Sequence, residues 1–191
     1  MEKGLLFIVF GKLIDFLKKL NAVEWCKHLA LKFSNTTDEK FHRRAAVDIF
    51  IIFKFAVASL AFIFPNTFLV CIVVYLCFFN AFTYFYYHVW CPPEDKTLDA
   101  LRRRFLNLFL SLGFNMLSFA TLYKFIGVPL VVEGSSGYFI LSLMNTFMMG
   151  TDYLAQGALE THFYRSIFIS QALLSFTFLT LVLSNTEIKQ D

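Results

Sequence analysis

GYFILSLMNTFMMGTD, from Gly137 to Asp152, is the stretch whose reading decides the fold. It holds an apolar run of about 12 residues, whereas a helix needs ~20 to cross a hydrocarbon core of ~30 Å. The run begins after Glu133-Gly134-Ser135-Ser136-Gly137 and stops at Gly150-Thr151-Asp152. Because it lies between two segments long enough to span, it is a candidate re-entrant helix. Polar backbone at membrane depth survives only where protein or water satisfies it. A half-helix ending in irregular chain therefore implies a pore-like cavity shared between subunits. The alternative is an extracytoplasmic amphipathic helix lying on the membrane surface.

The composition supports a membrane setting on both sides of this stretch. The 191 residues are 58% hydrophobic, with 26 Phe and a mean hydropathy of +0.61. Soluble domains average roughly 45–50% apolar. The expected fold class is therefore an all-α polytopic membrane protein with four transmembrane helices. N-terminal interfacial helices and one re-entrant pore-type helix complete it. The net charge of +3 says little, because the charges are strongly segregated along the chain.

Upstream of the stretch, the third span covers about 105–125. Asn107, Ser111, Asn115 and Ser118 share one arc of about 80° on it, a pattern by which membrane helices find one another. Before it, residues 91–104 form a charged loop closing on Arg102, Arg103 and Arg104. The second span is about 67–84, followed by a belt of Tyr84, Phe85, Tyr86, Tyr87 and Trp90 and stopped by Cys91-Pro92-Pro93. The first span, about 45–64, carries Asp48 near its edge and Lys54 deeper. An ionisable residue at that depth is a functional charge or a partnered helix contact. The contact is preferred, although no acidic residue lies one turn away. Pro65-Asn66 makes a tight hairpin between these two spans.

The first 44 residues differ in character. Residues 1–20 and 22–33 each read as a basic amphipathic helix at a membrane interface. Lys12, Asp15, Lys18 and Lys19 crowd one face of the first. Glu24, Lys27, His28 and Lys32 crowd one face of the second. Mutual packing, or packing on a cytosolic partner, is the alternative. A signal peptide is not expected, since charges interrupt the apolar run and no small-residue cleavage site follows. SNTTDEKFHRR, residues 34–44, is a polar connector.

Downstream, a polar segment at 153–165 leads to the last span, about 166–184. Ser170, Thr177, Thr180 and Ser184 form a hydroxyl stripe on it and are candidate pore-lining residues. A short tail, 186–191, ends the chain. The organisation expected is thus 1–44 interfacial helices, 45–90 a transmembrane hairpin, 91–104 a basic loop, 105–185 the module built around the short helix, and the tail. Of the Lys and Arg residues outside the spans, fourteen fall on one side and two, Lys124 and Arg165, on the other. Positive-inside orientation puts both termini in the cytoplasm and demands an even number of crossings, so 137–150 should not cross.

The order helix, short helix, irregular loop, helix resembles the two-transmembrane potassium channel family, and the residues add to the likeness. Tyr138-Phe139, Ser142, Asn145-Thr146, Gly150, Asp152 and Arg165 are similar to that family's YF…S…TT-x-G-Y-G-D…R run. Ser118-Phe119-Ala120-Thr121 and Tyr123 resemble its outer helix. The resemblance covers about 105–185 and implies a filter-like segment of Asn145, Thr146, Phe147, Met148, Met149, Gly150, Thr151 and Asp152. It also implies assembly as a homotetramer. Here, however, Met148 falls on the first filter glycine, Met149 on the aromatic position and Gly150 on the second glycine. Asp152 comes one residue late. A carbonyl-lined filter relies on left-handed backbone that Gly takes freely and Met does not. A channel scaffold with a lost filter is therefore expected. In length, span count and basic N-terminus the chain also resembles the KwaA family, the four-span membrane subunits of the bacterial Kiwa anti-phage system. That resemblance implies an inner-membrane sensor of phage attachment with a cytosolic DNA-binding effector, KwaB-like, as partner.

No enzymatic constellation accompanies these features. His28, His42, His88 and His162 sit in four separate segments without metal-ligand spacing. Cys26, Cys71, Cys77 and Cys91 form no CxxC pair and no expected disulfide. Asp152 and Glu160 are read as solvated rather than as a catalytic pair. Arg43-Arg44 and Arg102–Arg104 adjoin spans, so topology and anionic headgroups explain them better than nucleic acid does. No cofactor or metal is expected. The expected partners are membrane lipids, further copies of the chain and a cytosolic effector. Three functions follow: a non-enzymatic sensor or scaffold, a pore-loop cation channel, and, without supporting motifs, a lipid-active enzyme.

Overall fold

Among the residues described in the computed structural model of the protein, seven α-helices and one π-helical turn make up the regular structure. The structure describes residues 5–33, 39–91, 98–131, 134–149, 155 and 161–184, and no strand occurs among them. In chain order the helices are α1 (Leu5–Leu20), α2 (Ala22–Phe33), α3 (Glu39–Ile63), α4 (Thr67–Phe85), α5 (Leu98–Ile126), α6 (Ser135–Thr146) and α7 (His162–Ser184). Among the described residues three helical stretches are long and apolar enough to cross a membrane: Phe41–Ile63, Thr67–Phe85 and Arg102–Ile126. All-helical structure with three such segments is compatible with a membrane protein.

The chain divides into two units, Met1–Phe53 and Lys54–Asp191, with the boundary inside α3. In the first, Asn21 separates α1 from α2. Its side-chain oxygen accepts from the Val23 N–H at 3.1 Å, and the Trp25 indole donates back to the Lys19 carbonyl at 2.6 Å. Lys27 pairs with Glu24 at 2.7 Å on α2. Along α1 the side chains of Phe7, Phe10, Leu13 and Phe16 are exposed, and on α2 so are Trp25 and Leu29. An isolated amphipathic helix pair leaves just such a face for something apolar to cover.

In the second unit α5 packs against α4, α6 and α7. Tyr84, Leu108, Leu112 and Phe178 form a buried cluster from α4, α5 and α7, with the Tyr84 and Phe178 rings edge to face at 5.1 Å. Phe55 of α3 meets Phe114 of α5 in the same manner at 5.8 Å. At the end of α3 the Lys124 ammonium donates to the Phe62 carbonyl at 2.7 Å. This cation satisfies one of the acceptors that every helix C-terminus leaves open. Asn66 opens α4 from extended backbone, its side chain accepting from the Leu69 N–H at 2.9 Å.

Several boundaries depart from the sequence reading, among them the starts of α6 at Ser135 and of α7 at His162, the latter inside the polar segment expected over 153–165. The polar connector expected over 34–44 is helical from Glu39 onward, because Glu, Lys and Arg favour helix and extend the following apolar span. The loop expected over 91–104 likewise gives way to α5 at Leu98, for the same reason. The aromatic run after α4 is wound as a π-helical turn, Tyr86–Trp90, closed by the Cys91 N–H on the Tyr86 carbonyl at 2.7 Å. Pro92-Pro93, the connector at 34–38 and the tail lie outside the described residues.

Candidate functional site

Gln171 is the hub of the buried polar structure around α6. It is fully buried on α7, and both ends of its amide are used. Its nitrogen donates toward Ser142 Oγ at 2.7 Å, Thr146 Oγ1 at 2.8 Å and the Ser142 carbonyl at 2.9 Å. Its oxygen accepts from the Tyr123 hydroxyl at 2.5 Å and from Asn145 Nδ2 at 3.1 Å. Asn145 also donates to the Phe168 carbonyl at 3.0 Å, and the Ser142 hydroxyl to the Met116 carbonyl at 2.7 Å. The Tyr123 ring stacks on Phe168 at 4.9 Å. Ser142, Asn145 and Thr146 are spaced i, i+3, i+4, so one face of α6 carries all three. The network thus pins a 12-residue helix between α5 and α7.

The end of α6 is unusual for its side chain rather than its hydrogen bonding. Met148 takes a φ of +55°. The Met148 N–H reaches the Asn145 carbonyl at 3.2 Å, and the Met149 N–H reaches that of Met144 at 2.9 Å. These are the two bonds of a Schellman motif, with Met148 at the left-handed position. α5 ends the same way: the Gly127 and Val128 N–H groups bond the Lys124 and Tyr123 carbonyls, and Gly127 has φ +68°. Glycine occupies that position at no steric cost, whereas a side chain pays roughly 1–2 kcal/mol. The expectation that methionine would not adopt left-handed geometry at position 148 is therefore corrected. The physical reason is the cap, which closes two of the open carbonyls of α6. Beyond it, Phe147, Met148 and Met149 are all more than half exposed or at that mark.

A second buried polar group surrounds Lys54. It is 4% exposed, and its ammonium donates to Asn80 Oδ1 of α4 at 2.7 Å. The ammonium also lies 4.8 Å from the Phe114 ring centroid, within cation–π range. The Ser111 hydroxyl donates to the same Asn80 oxygen at 3.0 Å, and Asn80 Nδ2 reaches the Ser111 carbonyl at 3.3 Å. One turn along, the Cys77 thiol donates to Asn115 Oδ1 at 2.9 Å. Lys54 is therefore a partnered helix contact, its partner an amide rather than an acid. Asp48, the other charge of the first span, is exposed.

The remaining sequence-expected residues are dispersed. Asn145 and Thr146 face the Gln171 network, while Phe147, Met148 and Met149 face outward. Ser170, Thr177 and Thr180 are exposed, and each hydroxyl bonds back to a carbonyl of its own helix, those of Ser166, Leu173 and Phe176. Lys12, Lys19, Lys32 and Arg102 are exposed, and Lys18, Lys27, Arg103 and Arg104 are half-buried. Gly150, Thr151 and Asp152, and the side chain of Ser184, lie outside the described residues. Gln171, Tyr123 and Asn80 were not singled out as site residues from the sequence. The signal for two of them is plain: a lone amide in the middle of an apolar span has to find a partner.

Among the described residues no group of His, Cys, Asp and Glu is placed to hold a metal ion. Both clusters consist chiefly of amides and hydroxyls used as mutual donors and acceptors, a chemistry that fixes helices and orients dipoles. Comparison of the chain with protein-family models, curated proteins and solved structures finds no match in any of the three.

Proposed function

We propose that the protein is a non-enzymatic, oligomeric inner-membrane protein that acts as a sensor or scaffold and recruits a cytosolic effector, in the manner of a membrane subunit of an anti-phage defence system. The observation that carries the reading is the fixed seat of α6. A helix of 12 residues, too short to cross, is held by a dedicated buried network between two long helices and presents Phe147, Met148 and Met149 at its tip. In this reading α3, α4, α5 and α7 cross the membrane and α6 is re-entrant. α7 has 23 residues, about 35 Å at 1.5 Å per residue. α1 and α2 lie on anionic lipid through Lys12, Lys18, Lys19, Lys27 and Lys32, with Arg102–Arg104 on the same cytoplasmic side. Four copies set their α6 tips toward a common axis, where thioethers and rings make a dry, closed constriction. No cofactor takes part.

The second reading is a pore-loop cation channel. The observation in its favour is the left-handed backbone at Met148, the position aligned with the first filter glycine. Planar-bilayer recording separates the two. The scaffold reading expects little or no current from the unmodified protein and increased leak when Met148 and Met149 are both changed to Gly or Ala. Robust potassium-selective current from the unmodified protein overturns it in favour of the channel. Reporter fusions after residues 44, 100 and 188 should read cytoplasmic and one at 160 extracytoplasmic. A cytoplasmic result at 160 removes the four-crossing layout.

A further inference from the structure

Two buried polar atoms in the bundle have no hydrogen-bond partner among the described residues: Asn115 Nδ2 on α5 and Ser175 Oγ on α7, both in fully buried residues. Exchanging the amide's nitrogen and oxygen does not help Asn115, since the Cys77 sulfur can engage only one of them. Such an atom in a dry interior costs about 1–3 kcal/mol. Two of them are not independent accidents if they face each other, and the packing of α5 on α7 indicates that they do.

The register is fixed on both sides. On one side Tyr123 stacks on Phe168, and on the other Leu112 packs in the cluster that holds Phe178. The helices run antiparallel, so residue numbers fall on α5 as they rise on α7. Asn115 lies eight residues from Tyr123 and three from Leu112; Ser175 lies seven from Phe168 and three from Phe178. The two therefore share a level. At 100° per residue Asn115 points within about 20° of Leu108, about 60° of Leu112 and about 80° of Tyr123, and Ser175 within about 20° of Phe168 and about 60° of Phe178. Both are thus turned to the shared α5–α7 seam, with Cys77 of α4 closing the third side.

We propose that a buried water molecule binds at this junction, accepting from Asn115 Nδ2 and bonded to the Ser175 hydroxyl. Water suits the donor set. The site offers an amide N–H and a hydroxyl that both gives and receives, and neither group carries charge. A buried water typically makes two to four such bonds. The bound water is the polar step between the Cys77–Asn115 pair, one turn from Asn80 and Ser111, and Gln171, one turn from Ser175 on α7. The cluster around Lys54 and the network that seats α6 then form one polar seam through the bundle.

The test is X-ray radiolytic labelling of the full chain in nanodiscs in oxygen-18 water, read by mass spectrometry. The Cys77 sulfur, 2.9 Å from Asn115 Oδ1, is the reporter, and exposed Cys91 the reference. Bound water generates radical beside Cys77, so the uptake at Cys77 relative to Cys91 is expected to fall in Ser175→Leu, whose side chain fills the site. An unchanged ratio overturns the proposal. A stability cycle tests the same bridge without labelling. Ser175→Ala should lower the folded-to-unfolded ratio about fivefold in the unmodified chain, and less than twofold when Asn115 is already Leu. Equal effects in the two backgrounds overturn the shared water.

Discussion

Gln171→Leu is the substitution that most directly tests how α6 is held. Leucine keeps the volume and the apolar surroundings of α7 while removing every polar contact of the hub. The side chain makes five hydrogen-bond contacts: two to its oxygen and three from its nitrogen. The amide has two N–H groups, so at most four bonds are made at once, and at the ~0.6 kcal/mol average for inter-helical hydrogen bonds in membranes their joint loss amounts to about 2.4 kcal/mol. The figure leans upward, because the Thr146 hydroxyl loses the one acceptor contact it makes with Gln171 in a fully buried place. It leans downward, because Asn145 keeps the Phe168 carbonyl and the Tyr123 hydroxyl. Reversible denaturation by SDS in mixed micelles measures it. Ser170→Leu is the control next door: that residue is exposed and its hydroxyl bonds only back to the Ser166 carbonyl, so a change below about 0.5 kcal/mol is expected. If the two variants unfold at the same SDS fraction, the network does not seat α6 and the reasoning fails.

Met148→Gly should stabilise the protein by about 0.5–1 kcal/mol, the left-handed penalty less the added freedom of the unfolded chain. Gly127→Ala should lose about 1 kcal/mol at the matching position of α5, for conformational reasons alone, since nothing stands within 4 Å of an added Cβ. The same denaturation assay reads both, and shifts of equal sign contradict the shared motif. Asn80→Leu strands the Lys54 ammonium and should cost about 1.5–3 kcal/mol, most of it recovered by adding Lys54→Met. A double variant no more stable than the single one shows that Lys54 is not what Asn80 serves. Partial burial pushes the Cys26 thiol up, so its thiolate fraction at a given pH is below that of a free cysteine. Maleimide labelling of Cys26 should therefore lag a cysteine peptide at pH 8 and catch up as the pH rises; equal rates at pH 8 contradict the burial.

The helical layout was largely legible because long apolar helices announce themselves by length and composition. α2 covers the residues read from the pattern, and α6 overlaps the short apolar stretch but starts before it, at Ser135, and ends at Thr146. Charged residues misled where they continue a helix, as at Glu39–Arg44 and Leu98–Arg104, since polarity was taken for loop when propensity favoured helix. The polar contacts were legible by residue type and not by partner. Lys54 demanded something, but the something proved to be Asn80, 26 residues away on a facing helix. The stripe Ser170, Thr177, Thr180 has a clear helical period and is exposed. Gln171 beside it is a single residue with no period and organises the packing. Met148 was read against a template in which a glycine stands, whereas its backbone answers to the end of its own helix.

The division of the Gln171 network along the chain has a consequence for synthesis. Ser142, Asn145 and Thr146 leave the ribosome before the glutamine that bonds to two of them directly through its nitrogen and to the third through its oxygen. In the proposed four-crossing layout, until α7 has been made and inserted, the polar face of α6 has only α5 to answer it, through the Met116 carbonyl and the Tyr123 hydroxyl. A short helix with that face half unanswered gains little by leaving water. On that layout the segment is a late arrival during biogenesis, drawn into place after the helix that follows it rather than in the order of translation.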